Sequence, residues 1–499
     1  MKHQSSRREF LRTAAVTGVG YWVCAGLAPK VSASPNERIA VAGIGLGGKG
    51  DSDLLHASQF ADVVAICDTD RGTLNHYHVN RYPKAKTYTD HRKLFDEMEK
   101  SIDAATISTT DHMHATQALM AMRMKKHVFV QKPLARTVYE CRLMANVAKE
   151  MGVCTQMGNQ GSANDGLRLA AAEMKAGAFG DVQEIHMWAD YQHRFLPHGT
   201  NTIRTMKDFE AKVRRENPNE AEQLIARMKA RSADILSRLE WDLWVGTAQP
   251  REFFPGEGDL TLYHPAYWRR WWAFGTGQIG DFACHALNKH MKALDLSSPA
   301  SVVARTSGHD YDIFPISSEI VFEYPATATR KGFKLVWYDG EFWPSRDFLN
   351  KHQFQYPEAR PTGGEIIIGT EGVSGHGRNV RKQGLTVPEV TYAPKYSDAN
   401  GNIVERQDDD VRNMYEFIVA IKENKPERCF SNFPSQAGPL TEAMLLGNLA
   451  VWTASKPNEW GEKIMWDAQN MRITNLASLK TSGVADLIKP VYREGYMLD

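Results

Sequence analysis

Cysteine is scarce in this chain, and its uninterrupted apolar stretches are short. Six cysteines occur among 499 residues, none in a C-x-x-C pair, which argues against structural zinc and against a disulfide scaffold. No apolar run beyond residue 33 reaches the roughly 18 residues that a membrane-spanning helix needs. Charge of one sign is not in excess either: the formal net charge is +1, and −3 from residue 34 onward, which argues against a nucleic-acid partner. We therefore expect a soluble protein with two or more domains that acts on a small molecule.

The first 33 residues have the features of an export signal. The stretch SRREFL places Arg7 and Arg8 ahead of a short apolar run that extends to Leu27. Small residues then lead to Ala33, where we expect cleavage. The paired arginines favour the twin-arginine route, which carries folded proteins, over an ordinary secretory signal. We interpret residues 1–33 as a twin-arginine signal peptide and predict a periplasmic location.

A glycine-rich motif follows this segment. Residues 39–42 form a short apolar strand, and GIGLGG then supplies G-x-G-x-x-G ahead of a helical stretch. Asp68 ends the next apolar strand, 20 positions past Gly48, where the dinucleotide fingerprint has an acid that binds the adenosine ribose. Because a carboxylate repels a 2′-phosphate, we predict NAD as the cofactor, while Arg71 leaves NADP as the alternative. The predicted cofactor-binding residues of the loop are Gly43, Ile44, Gly45, Leu46 and Gly48.

Strands and helices continue to alternate after Asp68. Residues 103–108 and 127–130 have the composition of buried strands, and a helical pattern lies between them. This alternation predicts an α/β domain with a doubly wound parallel sheet over residues 34–157, whose ligand crevice lies at the carboxyl ends of the strands. Thr110, Gln131 and Lys132 fall at those ends. We expect them to face the cofactor.

Three motifs together resemble the Gfo/Idh/MocA family of oxidoreductases. They are GIGLGG, VQKPLA and GTGQIGDFACH, and the last contains Asp281 and His285. The closing stretches IMWDAQNMRITN and PVYREGYML are similar to those of the exported, sugar-acting branch, whereas Gln131 stands where the family usually has glutamate. The resemblance implies a Rossmann domain followed by an α+β domain with an open, mostly antiparallel sheet, and a homo-oligomer, either a dimer or a tetramer.

The resemblance also implies roles for three residues. His285 would accept the proton of a substrate hydroxyl, Asp281 would bind and orient that hydroxyl, and Lys132 would stabilise the developing alkoxide. Asp281 and His285 are four positions apart, so that a helix places both on one face. In the resembling proteins the loop that holds His114 lies along the nicotinamide, which makes His114 a further candidate for the cofactor site.

Two other features could carry chemistry. His112 and His114 are two positions apart, a spacing that a helix does not bring together, and no acidic third ligand stands at a standard spacing, so we predict no metal site. Aromatic residues crowd into YHPAYWRRWW, and aromatic faces stack on sugar rings. This predicts carbohydrate contacts by Tyr263, His264, Trp268 and Arg269, although core or subunit packing stays open for most of the tryptophans.

The rest of the chain predicts a second domain over residues 158–499. A charge-rich insertion at 204–240 has apolar residues at helical spacing after Asn217-Pro218, which predicts one long amphipathic helix. Residues 318–324 and 332–338 alternate like antiparallel strands. We expect this domain to carry the substrate site and the subunit contacts.

These observations favour an oxidoreductase that moves a hydride between a ring hydroxyl of a sugar or glycoside and a tightly bound nicotinamide cofactor. Loading of the cofactor before export would explain the twin-arginine signal. The alternative is an NAD-dependent glycosidase or eliminase, in which transient oxidation of the sugar permits elimination and the net reaction is redox-neutral. A non-enzymatic sugar-binding module is a third hypothesis, and the presence of Lys132, Asp281 and His285 argues against it.

Overall fold

Two sheets organise the chain. The computed structural model describes residues 38–190, 203–257, 262–355, 362–375, 378–398, 400–496 and 498. The predicted signal peptide, with Arg7, Arg8 and Ala33, lies outside these described residues. Residues Arg38–Asp499 group into one compact unit, so the predicted boundary between residues 157 and 158 stays a prediction.

The first sheet is parallel throughout. Its six strands lie in the order β3-β2-β1-β4-β5-β6, which is the order of a dinucleotide-binding fold. All residues of the short strands β4 and β6 are buried, because helices cover both faces of the sheet. The strands are β1 (Ile39–Ile44), β2 (Ala61–Cys67), β3 (Lys86–Tyr88), β4 (Ala104–Ile107), β5 (His127–Gln131) and β6 (Thr155–Gly158).

Five helices connect these strands. Several begin with a side chain that accepts a backbone hydrogen bond: Asp70 at the second helix, Asp90 at the third and Thr137 in a full capping box at the fifth. Strands β2 and β3 are added on one side of β1 and strands β4 to β6 on the other, so a crevice opens at the carboxyl ends of β1 and β4, where the strand order reverses. The helices are α1 (Lys49–Ser58), α2 (Arg71–Asn80), α3 (His91–Met98), α4 (Asp111–Arg123) and α5 (Val138–Met151).

The second sheet has nine strands in the order β13-β12-β11-β7-β10-β9-β8-β14-β15. Every pairing is antiparallel except that of β7 with β10, which confirms the open, mostly antiparallel second sheet. Its strands are β7 (Val182–Ala189), β8 (Ser301–Thr306), β9 (Ser318–Tyr324), β10 (Phe333–Asp339), β11 (Gly363–Gly369), β12 (Val373–Gly375), β13 (Arg378–Val380), β14 (Ile464–Asp467) and β15 (Arg472–Ile473).

One long helix, α10, lies against β7 and β10 of the second sheet and carries the motif GQIGDFACH. It is buried along most of its length, between α6 and α13. The remaining helices are α6 (Asp165–Lys175), α7 (Met206–Glu216), α8 (Ala221–Leu236), α9 (Trp241–Val245), α10 (Gly277–Ala293), α11 (Arg346–Lys351), α12 (Asp409–Glu423) and α13 (Gly438–Thr453). Among the residues described, every helix is too short or too polar to cross a membrane.

The insertion at 204–240 differs from the prediction of one helix. The predicted helix begins at Ala221, and α7 precedes it, with the Thr205 hydroxyl accepting a hydrogen bond from the Asp208 amide. This capping pattern was visible in the sequence. The two helices cover an aromatic cluster that includes Trp244 and Phe254.

Candidate active site

A cavity of about 1480 Å³ opens at the carboxyl ends of the parallel strands and reaches the second sheet. Its wall combines the glycine loop after β1, the ends of β2, β4 and β5, and helix α10. Trp188 on β7, Trp337 on β10 and Glu365 on β11 complete it on the side of the second sheet. Both sheets therefore contribute to one site, as the positions of the motifs predict.

The glycine loop leaves space and backbone donors at the base of this cavity. Gly45 has a φ of +80°, and a side chain there would collide with the backbone oxygen of Ser108. Gly47 and Gly48 line the cavity with no neighbour within 4 Å of a Cβ position. The described residues supply no side-chain cap to helix α1, so its first N–H groups face the cavity end of the loop. A phosphate fits such a helix N-terminus.

Asp68 closes the loop on the β2 side. Its carboxylate accepts hydrogen bonds from the backbone N–H groups of Leu46 and Asp70, each at 2.9 Å. Burial raises the pKa of Asp68 to about 6, against the lowering effect of those two donors. The acid therefore lines the cavity in a fixed orientation, beside the loop where a ribose would lie.

Lys132 reaches from the end of β5 to helix α10. Its ammonium donates to the Asp281 backbone oxygen at 2.7 Å and also contacts the Asp281 carboxylate. The Arg269 guanidinium lies 3.6 Å from the same carboxylate. Lys132 and Arg269 line the cavity, whereas the side chain of Asp281 is only 5% exposed and lies behind them. The geometry thus makes Asp281 a holder of the two cations.

His285 lines the cavity one helical turn after Asp281. Burial, together with the nearby Lys132 ammonium, lowers its pKa to about 3. The imidazole is therefore neutral, which is the form that a proton acceptor must have. The structure brings together all three residues that the sequence predicts to be catalytic.

The predicted substrate residues separate into two groups. Trp268 and Arg269 line the cavity near Lys132, with the guanidinium 4.2 Å from the indole ring centroid. His264 lines the cavity elsewhere, with Nε2 3.7 Å from the Asp70 carboxylate, on the β2 side. Tyr263 lies behind the wall in an aromatic cluster, and its hydroxyl accepts a hydrogen bond from Arg251 at 3.4 Å.

Most of the predicted cofactor residues line the cavity, and the others lie behind its wall. Those on the cavity wall are Ile44, Gly45, Gly48, Asp68, Thr110, Gln131 and Lys132. Gly43 and Leu46 lie behind the wall. His114 is buried as well, with its ring nitrogens 2.9 Å from the Pro133 oxygen and 3.1 Å from the Thr109 oxygen, so its contacts fix the backbone around the site. No cluster of three metal-ligating side chains occurs among the described residues.

Comparison with known sequences identifies the nucleotide-binding part of the chain. Residues 37–159 match the Gfo/Idh/MocA family, described as an oxidoreductase family with an NAD-binding Rossmann fold. This part of the chain is similar to the NAD-binding domain of that family. The matched residues run from the start of β1 to the end of β6, so the family match and the parallel sheet coincide.

Several curated Gfo/Idh/MocA-like relatives have glycosidase names. A glycosyl hydrolase family 109 protein of Shewanella sp. strain MR-4 is 30% identical over 237 residues, which are 41% of this chain and 50% of that protein. An alpha-N-acetylgalactosaminidase of Shewanella oneidensis is 27% identical over 235 residues, with the same coverage. The chain spans about half the length of the curated relatives it matches.

A solved structure shares the fold. The WlbA dehydrogenase from Bordetella pertussis, in complex with NADH and UDP-GlcNAcA, superposes with a TM-score of 0.50 at 15% identity. The match covers 86% of this chain and all of that one. The arrangement of two unlike sheets is thus the one found in that dehydrogenase.

The cofactor of this Gfo/Idh/MocA domain is NAD, and the residues present fit it. Gly47, Gly48 and the uncapped helix α1 would hold the pyrophosphate. Asp68 would accept hydrogen bonds from the adenosine ribose. The possibility of NADP rested on Arg71, and Arg71 is paired with Glu240 at the end of the insertion, so its charge is already engaged.

Sequence reasoning missed a buried carboxylate beneath the glycine loop. Asp53 of helix α1 accepts hydrogen bonds from the Gln131 amide at 2.8 Å and the Ser108 hydroxyl at 2.7 Å. Gln131 therefore connects β5 to α1, and the carboxylate beside Lys132 comes from Asp281. The substitution of glutamine for the usual glutamate was visible in the sequence, but its partner was not.

Asp111, at the start of helix α4, belongs to the segment after β4 that we expect to face the cofactor, but no chemical role was predicted for it. It lines the cavity, and its carboxyl group accepts a hydrogen bond from the Thr276 hydroxyl at 2.7 Å. Burial raises the pKa of Asp111 to about 7, and the nearby Asp281 adds to the rise. The position of Asp111 four residues after the end of β4 is the signal that predicts it at the crevice.

Proposed function

We propose that this protein is an NAD-dependent enzyme that transfers a hydride between a ring hydroxyl of a sugar or glycoside and its bound cofactor. The observation that carries the proposal is the meeting of Lys132 and His285 on the wall of the cavity that the glycine loop and Asp68 also line. A neutral imidazole and an ammonium group at one point are suited to deprotonation of a hydroxyl group.

Bound NAD would supply the hydride acceptor. His285 would take the hydroxyl proton, since burial keeps its imidazole neutral. Lys132 would stabilise the developing alkoxide, and Asp281 would hold the ammonium in place. Trp268 and Arg269 would bind the sugar, with the indole face against its C–H groups and the guanidinium on its hydroxyls.

The second candidate is redox-neutral glycoside cleavage. Oxidation of a ring carbinol acidifies the neighbouring C–H, the aglycone leaves by elimination, water adds, and return of the hydride restores the sugar. Two observations favour it: the glycosidase names of the relatives, and Asp111, a cavity carboxyl group whose raised pKa lets it deliver a proton to a leaving group.

One experiment separates the two candidates. The purified protein is incubated with aryl glycosides and with free sugars, without added nucleotide, while nicotinamide absorbance and aglycone release are recorded together. A lasting absorbance change without release supports net oxidation, and catalytic release without lasting change supports cleavage. Saturable sugar binding without either signal would contradict both candidates and favour a binding protein.

Localisation and assembly are further proposals. The Arg7-Arg8 signal supports export to the periplasm with the cofactor already bound, because the twin-arginine route carries folded proteins. The resemblance to the family supports a dimer or tetramer. Cell fractionation tests the first proposal, and light scattering of the purified protein tests the second.

A further inference from the structure

The motif PVYREGYML near the end of the sequence has no part in the proposed chemistry, yet one of its residues lines the cavity. Tyr496 forms part of the wall together with Thr89, Asp90 and His91, which follow β3. The residue is 3% exposed. Because Asp68 marks the adenosine ribose, the part of the cavity beyond it toward β3 is the adenine half of the nucleotide site.

The segment that carries Tyr496, residues 490–496, is tied to helix α5 of the nucleotide-binding domain. The Tyr492 hydroxyl donates to the buried Glu140 carboxylate at 2.9 Å. Just before the segment, the Tyr139 amide donates to the Ile488 oxygen at 3.1 Å. Glu140 also completes the capping box at the start of α5, so this attachment has a rigid base.

The same segment is tied to the region around α9. The Arg493 guanidinium donates to the Asp242 carboxylate at 2.7 Å, and the Arg493 amide donates to the Thr247 oxygen at 3.3 Å. Gln249 adds a hydrogen bond to the Val491 oxygen at 3.2 Å. The segment thus connects helix α5 to the region around α9.

A turn sets the position of the Tyr496 ring. The Tyr496 amide donates to the Arg493 oxygen at 3.1 Å, and Gly495 supplies the φ of +85° that the turn requires. The guanidinium groups of Arg92 and Arg493 lie 4.9 Å and 5.2 Å from the ring centroid. Two cation–π contacts therefore hold the ring against the wall.

We propose that residues 490–496 form a strap over the adenine half of the site and that Tyr496 is a positioning residue that retains the dinucleotide. The proposal rests on the proposed function, because a cycle that returns its hydride never requires the cofactor to leave. Because Tyr496 lines the cavity wall, it would contact the purine of a bound dinucleotide.

The test compares nucleotide retention in four variants of the full chain with the unmodified protein. The bound NAD is released by denaturation and quantified per protein, and its dissociation rate is measured by exchange with labelled NAD. We expect Tyr496→Ala to dissociate NAD at least about tenfold faster, as loss of a base–aromatic contact does. Tyr496→Phe keeps the ring and should retain NAD, as should Tyr392→Ala at an exposed site away from the cavity.

Tyr492→Phe tests the strap if Tyr496→Ala does not fold. It removes only the hydrogen bond to Glu140, and a faster dissociation of NAD supports the proposal. If Tyr496→Ala folds, an unchanged rate of NAD dissociation in that variant overturns the proposal. If it does not fold, an unchanged rate in Tyr492→Phe overturns the proposal. Retention of NAD is measured without substrate. A failure of sugar turnover would therefore count against the proposed function, but it would not affect the measured retention of NAD.

Discussion

Lys132 and Asp281 join the two sheets at the site. The ammonium at the end of β5 contacts both the carboxylate and the backbone oxygen of a residue in the second turn of α10. The lysine side chain is 14% exposed and its partner 5%, so the pair is largely withdrawn from water while the lysine still borders the cavity. This ion pair holds the ammonium near His285 and connects the two sheets at the cavity.

His285→Ala should abolish turnover and leave the bound nucleotide in place. The imidazole on the cavity wall is the proposed proton acceptor, and loss of a general base lowers rates by about 100- to 10,000-fold. Turnover and released NAD are measured on the same preparation. His76→Ala, at an exposed position on α2, is the control. Turnover like that of the unmodified protein would remove His285 from the mechanism.

Asp281→Asn should lower kcat more than it raises KM, because it releases Lys132 without removing a residue of the cavity wall. Combined with Lys132→Met, it should have little additional effect, since groups that act as a unit are not additive. Steady-state kinetics of the two single variants and the double variant test this. Additive losses would show that Asp281 acts separately from the lysine.

Glu240→Gln should weaken the preference for NAD over NADP. The change frees the Arg71 guanidinium for a 2′-phosphate, and because this pair is partly exposed we expect a gain in NADP affinity of about two- to fivefold. Asp68→Asn should have a larger effect, since it removes a carboxylate from the cavity wall. Nucleotide titrations give both affinities. Glu252→Gln, at an exposed site, should leave the ratio unchanged.

Asp111→Asn should change how stability depends on pH. Burial raises the pKa of Asp111 from 3.8 to about 7, so between these values the folded chain holds a proton that the unfolded chain has lost. The contribution of Asp111 to the free energy of unfolding therefore falls as pH rises through this window, by at most about 1.4 kcal/mol per pH unit. Relative to the unmodified protein, the asparagine variant should gain stability from pH 4 to pH 7.

Urea unfolding at several pH values in this window measures that difference. Asp96→Asn, an exposed carboxylate on α3, is the matched control. A difference between Asp111→Asn and the unmodified protein that stays constant with pH would contradict the raised pKa.

Replacement of Arg7 and Arg8 by lysine should block export. The twin-arginine route depends on the arginine pair, so the precursor should accumulate in the cytoplasm, whereas Arg12→Lys should be exported normally. Fractionation and amino-terminal sequencing of the exported protein check both the route and the predicted start near Ser34. Export of the double lysine variant at the normal rate would favour an ordinary secretory signal.

The local features of the site could be predicted because each depends on short-range chemistry. Gly45 needs a positive φ, Asp68 follows an apolar strand at the fingerprint spacing, and Asp281 and His285 share a helical face. The aromatic stretch was less informative. Tyr263 and Trp268 lie in the same aromatic-rich stretch of the sequence. Only the packing of the folded chain determines that Trp268 borders the cavity while Tyr263 lies behind its wall.

The sequence alone determined the parallel nucleotide-binding sheet and its cofactor loop, because these follow from periodicity and from a motif of fixed spacing, whereas Lys132, Asp281 and His285 were predicted from the resemblance to a family. Only the tertiary structure decided which distant residues become partners. Asp53 meets Gln131, Glu240 meets Arg71, and Tyr496 reaches the cavity. Such pairs depend on how whole elements pack, since the burial of apolar faces brings together residues whose separation along the chain carries no periodic signal.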